Sequence, residues 1–313
     1  MKVIFVIPAY NDWTSLKILS KKIKDVSIKE KWSSVELIIV NDASTQELDV
    51  SKETFALKST VLNLVSNQGN QKAISIGLSY IDEKIMDFDY IIVMDADGED
   101  KPSDAARLIE EAKKNDLKKI VFVERAKRNE GFLYIFFFSL YKILFKILTG
   151  QKINLGHFSC IPKKSLKKVL SVSDIGIHYV AAIIKSKLPF AKVVCDKGER
   201  ITGVTKQNKN MLIFHGLASM TVYVDVITLR FLLISLFSML LTLVGIILVF
   251  YIKLFTDISS QNWATTTSIG LAIIFTIFFF TSFFSLLTLL NKNENPTLST
   301  NTYKHHILST RNL

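Results

Sequence analysis

Along the first 125 residues, short apolar runs alternate with stretches whose apolar positions recur every three or four residues. The runs KVIFVIP (2–8), VELIIVN (35–41), TVLNLVS (60–66), YIIVM (90–94) and KIVFVE (119–124) are short and rich in β-branched residues. Apolar residues at consecutive positions predict strands buried on both faces. Leu16, Leu19, Ile23 and Val26 share one face of a helix, as do Ala73, Ile74, Gly77, Leu78 and Ile81. Ser103 is placed to cap a third helix running to about Asn115. Such an alternation predicts an α/β domain, Rossmann-like, with a mostly parallel sheet covered on both sides. Ligands of these sheets bind beyond the C-terminal strand ends.

The pattern changes after residue 130. GFLYIFFFSLYKILFKILTG (131–150) is rich in Phe and interrupted by Lys142 and Lys146. A charge at the bilayer centre costs ~2.5–3.5 kcal/mol, so this segment is expected to lie in the membrane interface. Residues 231–252 and 269–290 carry no charge and are each long enough to cross a ~30 Å hydrocarbon core. The chain therefore divides into an N-terminal core (1–130), a second part of the same domain with interfacial helices (131–228), two transmembrane helices (229–291) and a polar tail (292–313) expected to be mobile.

Composition sharpens this picture. Hydrophobic residues make up 49% of the 313, with much of the surplus beyond residue 228. The N-terminal MKVIFVIPAYNDW lacks the long apolar run and small-residue cleavage site of a signal peptide, so the first domain is expected in the cytoplasm. Lys206, Lys209 and Arg230 precede the two spans, and Lys292, Lys304 and Arg311 follow them. The positive-inside rule then keeps both termini in the cytoplasm and the connecting loop outside, in a cytoplasmic-membrane protein. Cys160 and Cys195 lack metal-ligand spacing and are expected to be packing residues. The net charge of +11 is assigned to lipid headgroups and phosphates rather than to nucleic acid.

Against that surplus, VMDADGEDKP (93–102) gathers Asp95, Asp97, Glu99 and Asp100 at the end of a predicted strand. Two carboxylates in an Asp-x-Asp pair can hold one Mg²⁺ or Mn²⁺, shared with substrate phosphates. A solvated acidic turn capping the next helix is the plainer alternative. Three further motifs precede it in order: VIPAYND (6–12), IIVNDAST (38–45) and NQGNQKAISIGL (67–78).

Together the four motifs resemble the family 2 glycosyltransferases with a GT-A fold. The resemblance implies that Pro8, Ala9, Tyr10, Asp12 and Asp42 hold the nucleoside of a donor, with Asp95 near the nucleotide and Asp97 on the metal. Asp95, Asp97, Glu99, Asp100 and Pro102 follow the pattern of the dolichol-phosphate mannose synthase and polyprenyl-phosphate glucosyltransferase branch, with Glu99 where that branch has glutamine. ERITGVTK (199–206) matches the same branch through Arg200, Gly203, Thr205 and Lys206. The branch implies transfer of a sugar from a UDP- or GDP-linked donor to a polyprenyl phosphate. Asp95, Asp97 and Glu99 would hold the metal. Asp97, Arg125, Arg128, Arg200 and Lys206 would serve the reaction and its phosphates.

Two departures lie in GHFSCIP (156–162), where His157 replaces the branch's acid and Ser159 its arginine. They fall on the acceptor side. His157 is expected to be a structural histidine, and His178 has no evident partner. Another glycan or glycolipid acceptor, or a transferase-like membrane scaffold without acceptor chemistry, are the alternatives. The two spans can pack within one chain or across several in a homo-oligomer.

Overall fold

Successive residues of a strand face opposite ways, so a strand that is apolar throughout needs cover on both sides. The computed structural model describes residues 1–48, 55–125, 132–152, 154–202, 209–255, 262–292 and 302–313. In it, strands β1 (Lys2–Ala9), β2 (Ser34–Asn41), β3 (Lys58–Leu64), β4 (Tyr90–Val93) and β5 (Ile120–Arg125) occupy the five runs read from the sequence. Helices α1 (Trp13–Lys29), α2 (Asn70–Lys84) and α3 (Pro102–Lys114) connect them. Val3, Phe5, Ile7 and Ala9 of β1 face the core that includes α1 and α3, while Ile4 and Val6 face the one that includes α2. Helix α2 lies so close to the sheet that a Cβ on Gly77 would stand 2.8 Å from Val6 Cγ1.

Beyond β5 the chain continues through α4 (Phe132–Thr149), β6 (Leu155–Pro162), α5 (Lys163–Leu170), α6 (Tyr179–Lys185), β7 (Phe190–Cys195) and α7 (Lys209–Thr221). Two long helices follow, α8 (Val224–Phe255) and α9 (Trp263–Lys292), and the chain ends in β8 (Ile307–Asn312). The sheet has eight strands in the order β7-β5-β6-β4-β1-β2-β3-β8. It is mixed. The β1–β2, β2–β3, β1–β4 and β5–β7 pairs are parallel, but β6 enters antiparallel between β4 and β5, and β8 pairs antiparallel with β3.

The chain forms two compact units. One comprises Met1–Ile143, Lys152–Val222 and Thr297–Leu313; the other comprises Leu144–Gln151 and Tyr223–Pro296. The end of the chain thus differs from the mobile tail expected of it. It returns to the first unit, where Tyr303 is buried and its hydroxyl donates to Glu83 Oε2 at 2.7 Å. A polar strand paired on one side only carries little apolar signal, which is why it reads as a tail.

In the second unit α8 and α9 pack together, and both are long and apolar enough to cross a membrane. The buried residues of α8 are Thr228, Ser235, Thr242 and Val249, spaced seven apart. Small side chains at that spacing let two helices approach closely along one seam. On α4, Phe145 is buried, while Leu140, Ile143, Leu144 and Ile147 are exposed beside Lys142 and Lys146.

Candidate functional site

The C-terminal ends of β1, β2 and β4 point to one end of the sheet, and the loops that follow them build the site. Pro8 and Ala9 close β1, and Asp42 follows β2 with its N–H bonded to Ala9 O at 2.9 Å. Asp42 is buried. Its Oδ1 accepts the Gln68 N–H at 2.6 Å and its Oδ2 the Gly69 N–H at 2.9 Å. Burial pushes its carboxyl up, and the two backbone donors oppose that. Asp42 thereby fixes the loop leading into α2, whose Asn70 Nδ2 donates to Asp95 Oδ1 at 3.0 Å. Tyr10, about a third exposed, and Asp12 flank Asn11, which has a positive φ of 55° and whose Oδ1 accepts the Gln46 N–H.

The loop after β4 is tight. Gly98 takes a φ of 84°, open to few residues with a side chain, and a Cβ there would meet Ile201. Asp100 Oδ2 accepts the Asp95 N–H at 2.9 Å, and Asp97 Oδ1 the Glu99 N–H at 2.9 Å. The segment after β7 lies along this loop: Gly198 N–H bonds Glu99 O and Ile201 N–H bonds Asp97 O, both at 2.8 Å.

Each of the four carboxylates meets a cation from elsewhere in the chain. Arg200 Nη2 donates to Asp97 Oδ2 at 2.7 Å, and its Nε lies 3.7 Å from Glu99 Oε1. Lys197 Nζ is 2.9 Å from Glu99 Oε2. Arg125, at the end of β5, is ion-paired with Asp100. His157, on β6, has Nε2 at 2.9 Å from Asp95 Oδ1. That nitrogen is buried against the carboxylate.

The charges set the titration of the group. Burial pushes the His157 imidazole down, but Asp95, then Asp100 and Asp97, outweigh it and raise its pKa to about 9. Burial, and then the charge of Asp95, push Asp100 up to about 6 against the pull of His157 and Arg125. At Asp95 burial is overcome by His157, the Asn70 hydrogen bond and Arg125, and the pKa falls.

Asp95, Asp97, Glu99, Arg125 and Arg200, read from the sequence as site residues, are therefore brought together. Arg128 and Lys206 lie outside the described residues. The ligand atoms of Asp95, Asp100 and His157 lie within 4.8 Å of one another. Of the expected metal ligands Asp95, Asp97 and Glu99, that group contains only Asp95. His157, Asp100, Lys197 and Asn70 were not among the expected site residues. Asp100 stands in the same acidic stretch, and His157 marks the position where the motif departs from its pattern.

Other residues resolve as structural. Ser159 is fully buried, donates to His157 O and lies 3.0 Å from the Tyr179 hydroxyl. His178 Nδ1 accepts the Ala181 N–H and caps α6. Cys160 and Cys195 are free and buried.

A family model described as Glycosyl transferase family 2 matches residues 4–170, more than half of the 313. Among solved structures the chain is similar to mannosyl-3-phosphoglycerate synthase from Rubrobacter xylanophilus. The TM-score is 0.53 at 14% identity, covering 71% of this chain and 72% of that one. It is also similar to glucosyl-3-phosphoglycerate synthase from Mycobacterium tuberculosis in complex with Mn²⁺, UDP and phosphoglyceric acid. There the TM-score is 0.51 at 10% identity, covering 72% and 78%. At such identities the likeness is one of fold. No curated protein matches the chain.

The pairings differ in burial, and that predicts unequal effects. Arg125→Met leaves Asp100, 4% exposed, without its partner and is expected to destabilise the protein by about 3–5 kcal/mol. Lys197→Ala removes a half-exposed partner and should cost less than about 1 kcal/mol. Denaturant titration of the detergent-solubilised variants checks this; equal losses would contradict it.

Proposed function

The chain belongs to glycosyl transferase family 2, and from that premise we propose that it moves a sugar from a nucleotide-sugar donor to a membrane polyprenyl phosphate. The observation that carries the donor half is the gathering of Asp95, Asp97, Glu99 and Asp100 against Arg125, His157, Lys197 and Arg200. Carboxylates and cations interleaved at one strand end suit a divalent ion and a diphosphate held side by side. The complex of the similar glucosyl-3-phosphoglycerate synthase with Mn²⁺ and UDP supports a uridine nucleotide. The loops at Tyr10, Asp12 and Asp42 are assigned to its nucleoside.

The donor set fits a divalent ion, because ligand atoms of two carboxylates and an imidazole lie within 4.8 Å of one another, and an ion bound there would displace the proton that His157 otherwise holds against Asp95. Asp95, Asp100 and His157 would hold it, with Asp97 and Glu99 beside them. Bound there, Mg²⁺ or Mn²⁺ supplies positive charge to the departing nucleoside diphosphate. The acceptor phosphate is already an anion, so its oxygen attacks the anomeric carbon without a general base. The bond from that carbon to the diphosphate breaks, and the configuration inverts. Arg200 offers a planar guanidinium suited to phosphate oxygens. We assign Arg125 to holding Asp100 rather than to phosphate. Roles for Arg128 and Lys206 rest on the resemblance alone.

The acceptor half is supported by α8 and α9 and by the exposed apolar residues of α4 beside its lysines, a composition suited to the membrane interface. The pairing of β8 with β3 supports the topology. β7 precedes the two long helices and β8 follows them in the same sheet, so the segment between makes an even number of crossings and both long helices span or neither does. A second reading is a small phosphorylated acceptor, because both similar synthases are named for phosphoglycerate products.

The deciding assay incubates the purified protein with Mn²⁺, UDP- and GDP-sugars, and either undecaprenyl phosphate or 3-phosphoglycerate. Release of nucleoside diphosphate that needs the lipid, with sugar extracted into the organic phase, is the expected result. Release that needs phosphoglycerate instead would overturn the lipid acceptor. His157→Ala should then raise the Mn²⁺ concentration needed for half-maximal rate by about tenfold or more.

Topology has its own test. Both native cysteines are buried, so a single introduced cysteine reports cleanly. Asn262→Cys should react with an impermeant maleimide in intact cells, and Glu30→Cys only in inverted vesicles. Labelling of both from the same side would contradict two crossings.

A further inference from the structure

The row of side chains across the C-terminal ends of β1, β2 and β3 and the N-terminal half of the antiparallel β8 carries a feature that the donor reading does not use. Ala9 is paired in register with Asn41, Asn41 with Asn63, and Asn63 with Ser309. The polar members of that row are joined. Asn63 Nδ2 donates to Ser309 Oγ at 2.9 Å, and Asn41 Nδ2 donates to Asn63 Oδ1 at 2.8 Å. The relay continues past the strands. Asn41 Oδ1 accepts the Ser44 N–H at 3.0 Å, and Ser44 Oγ accepts the Asn11 N–H at 2.9 Å. Asn11 Oδ1 in turn accepts the Gln46 N–H at 3.0 Å.

The two ends of this relay differ in kind. One end is Asn11, between Tyr10 and Asp12, in a left-handed conformation that asparagine adopts more readily than most residues with a side chain. The other end is the strand on which the chain closes after its two long helices. That strand is firmly seated. Thr60 Oγ1 donates to Asn312 Oδ1 at 3.1 Å, Val65 N–H to His306 O at 3.0 Å, and Ser59 and Leu313 exchange both backbone bonds. Upstream of it, Lys304 and the Tyr303 hydroxyl both grip Glu83 on α2.

We infer that Asn41 and Asn63 are positioning residues that tie the C-terminal strand to the nucleoside loops, so that affinity for the nucleoside diphosphate depends on Ser309. The inference rests on the donor reading given above. Among the described residues, the side-chain hydrogen bonds of the two asparagines run to each other, to Ser44 and to Ser309 rather than to the acidic loop. Each spends its amide on both neighbours at once, so the loss of one link loosens the next. The expected effect falls on donor affinity and not on use of the acceptor.

The test uses the full chain in detergent, with UDP and GDP as probes in the presence of Mn²⁺, followed by isothermal titration. Asn63→Ala is expected to weaken nucleotide binding by about three- to tenfold, the scale of one or two lost hydrogen bonds. Ser309→Ala should weaken it by about threefold, Ser309→Thr should keep the wild-type value, and the double variant should be no worse than Asn63→Ala. KM for the acceptor should not move. If the wild type binds nucleotide and Asn63→Ala and Ser309→Ala bind it equally well, even with lowered melting temperatures, the strand merely covers a sheet edge and the inference is wrong. If the wild type binds neither UDP nor GDP, the donor reading fails and takes this inference with it.

Discussion

Four carboxylates within six residues repel one another, and Asp97 and Asp100 are largely shielded from the water that would screen them. Asp95, Asp97, Glu99 and Asp100 stand together because Arg125, His157, Arg200 and Lys197 are brought to them. The sheet order follows this need. The strands on one side of β4 are β6, β5 and β7, and these supply His157, Arg125 and, just beyond β7, Lys197 and Arg200. The strands on the other side are β1, β2, β3 and β8, and they carry the loops assigned to the nucleoside. β4 therefore divides a half that balances charge from the half whose loops carry Asn11 and Asp42.

The antiparallel entry of β6 belongs to the same logic. Reversing the strand sets its N-terminal residues at the C-terminal ends of β4 and β5, with Leu155 opposite Glu124. His157 is two residues further on and lies against Asp95. A histidine in that place brings positive charge where the resembling pattern has an acid. Ser159, two residues on, is buried with its Oγ 3.0 Å from the Tyr179 hydroxyl.

Much of the fold was legible because it depends on local pattern. The five runs of consecutive apolar residues are short and rich in β-branched residues, which makes them strands covered on two faces, and the helical stripes between them gave the cover. What was not legible depends on partners distant in sequence. β7 is half exposed, and β8 is polar and paired on one edge only, so neither shows the two-faced pattern. At the site, the acidic loop, Arg125 and Arg200 could be named from the motif, but their pairing could not. The Arg200–Asp97 bond joins residues 103 apart and Arg125–Asp100 residues 25 apart. His157 read as a structural histidine, since nothing near it in sequence announces Asp95.

The central claim is that the acidic loop is a cation and diphosphate site with Asp95 at its hub. It is tested most directly by Mn²⁺ binding to the purified protein, followed by the loss of the free-ion EPR signal with and without UDP. The account predicts binding that UDP strengthens in the wild type and that weakens by more than about tenfold in Asp95→Asn. Unchanged Mn²⁺ and UDP binding in Asp95→Asn would contradict it, and would leave the four carboxylates and their cations as a purely structural cluster.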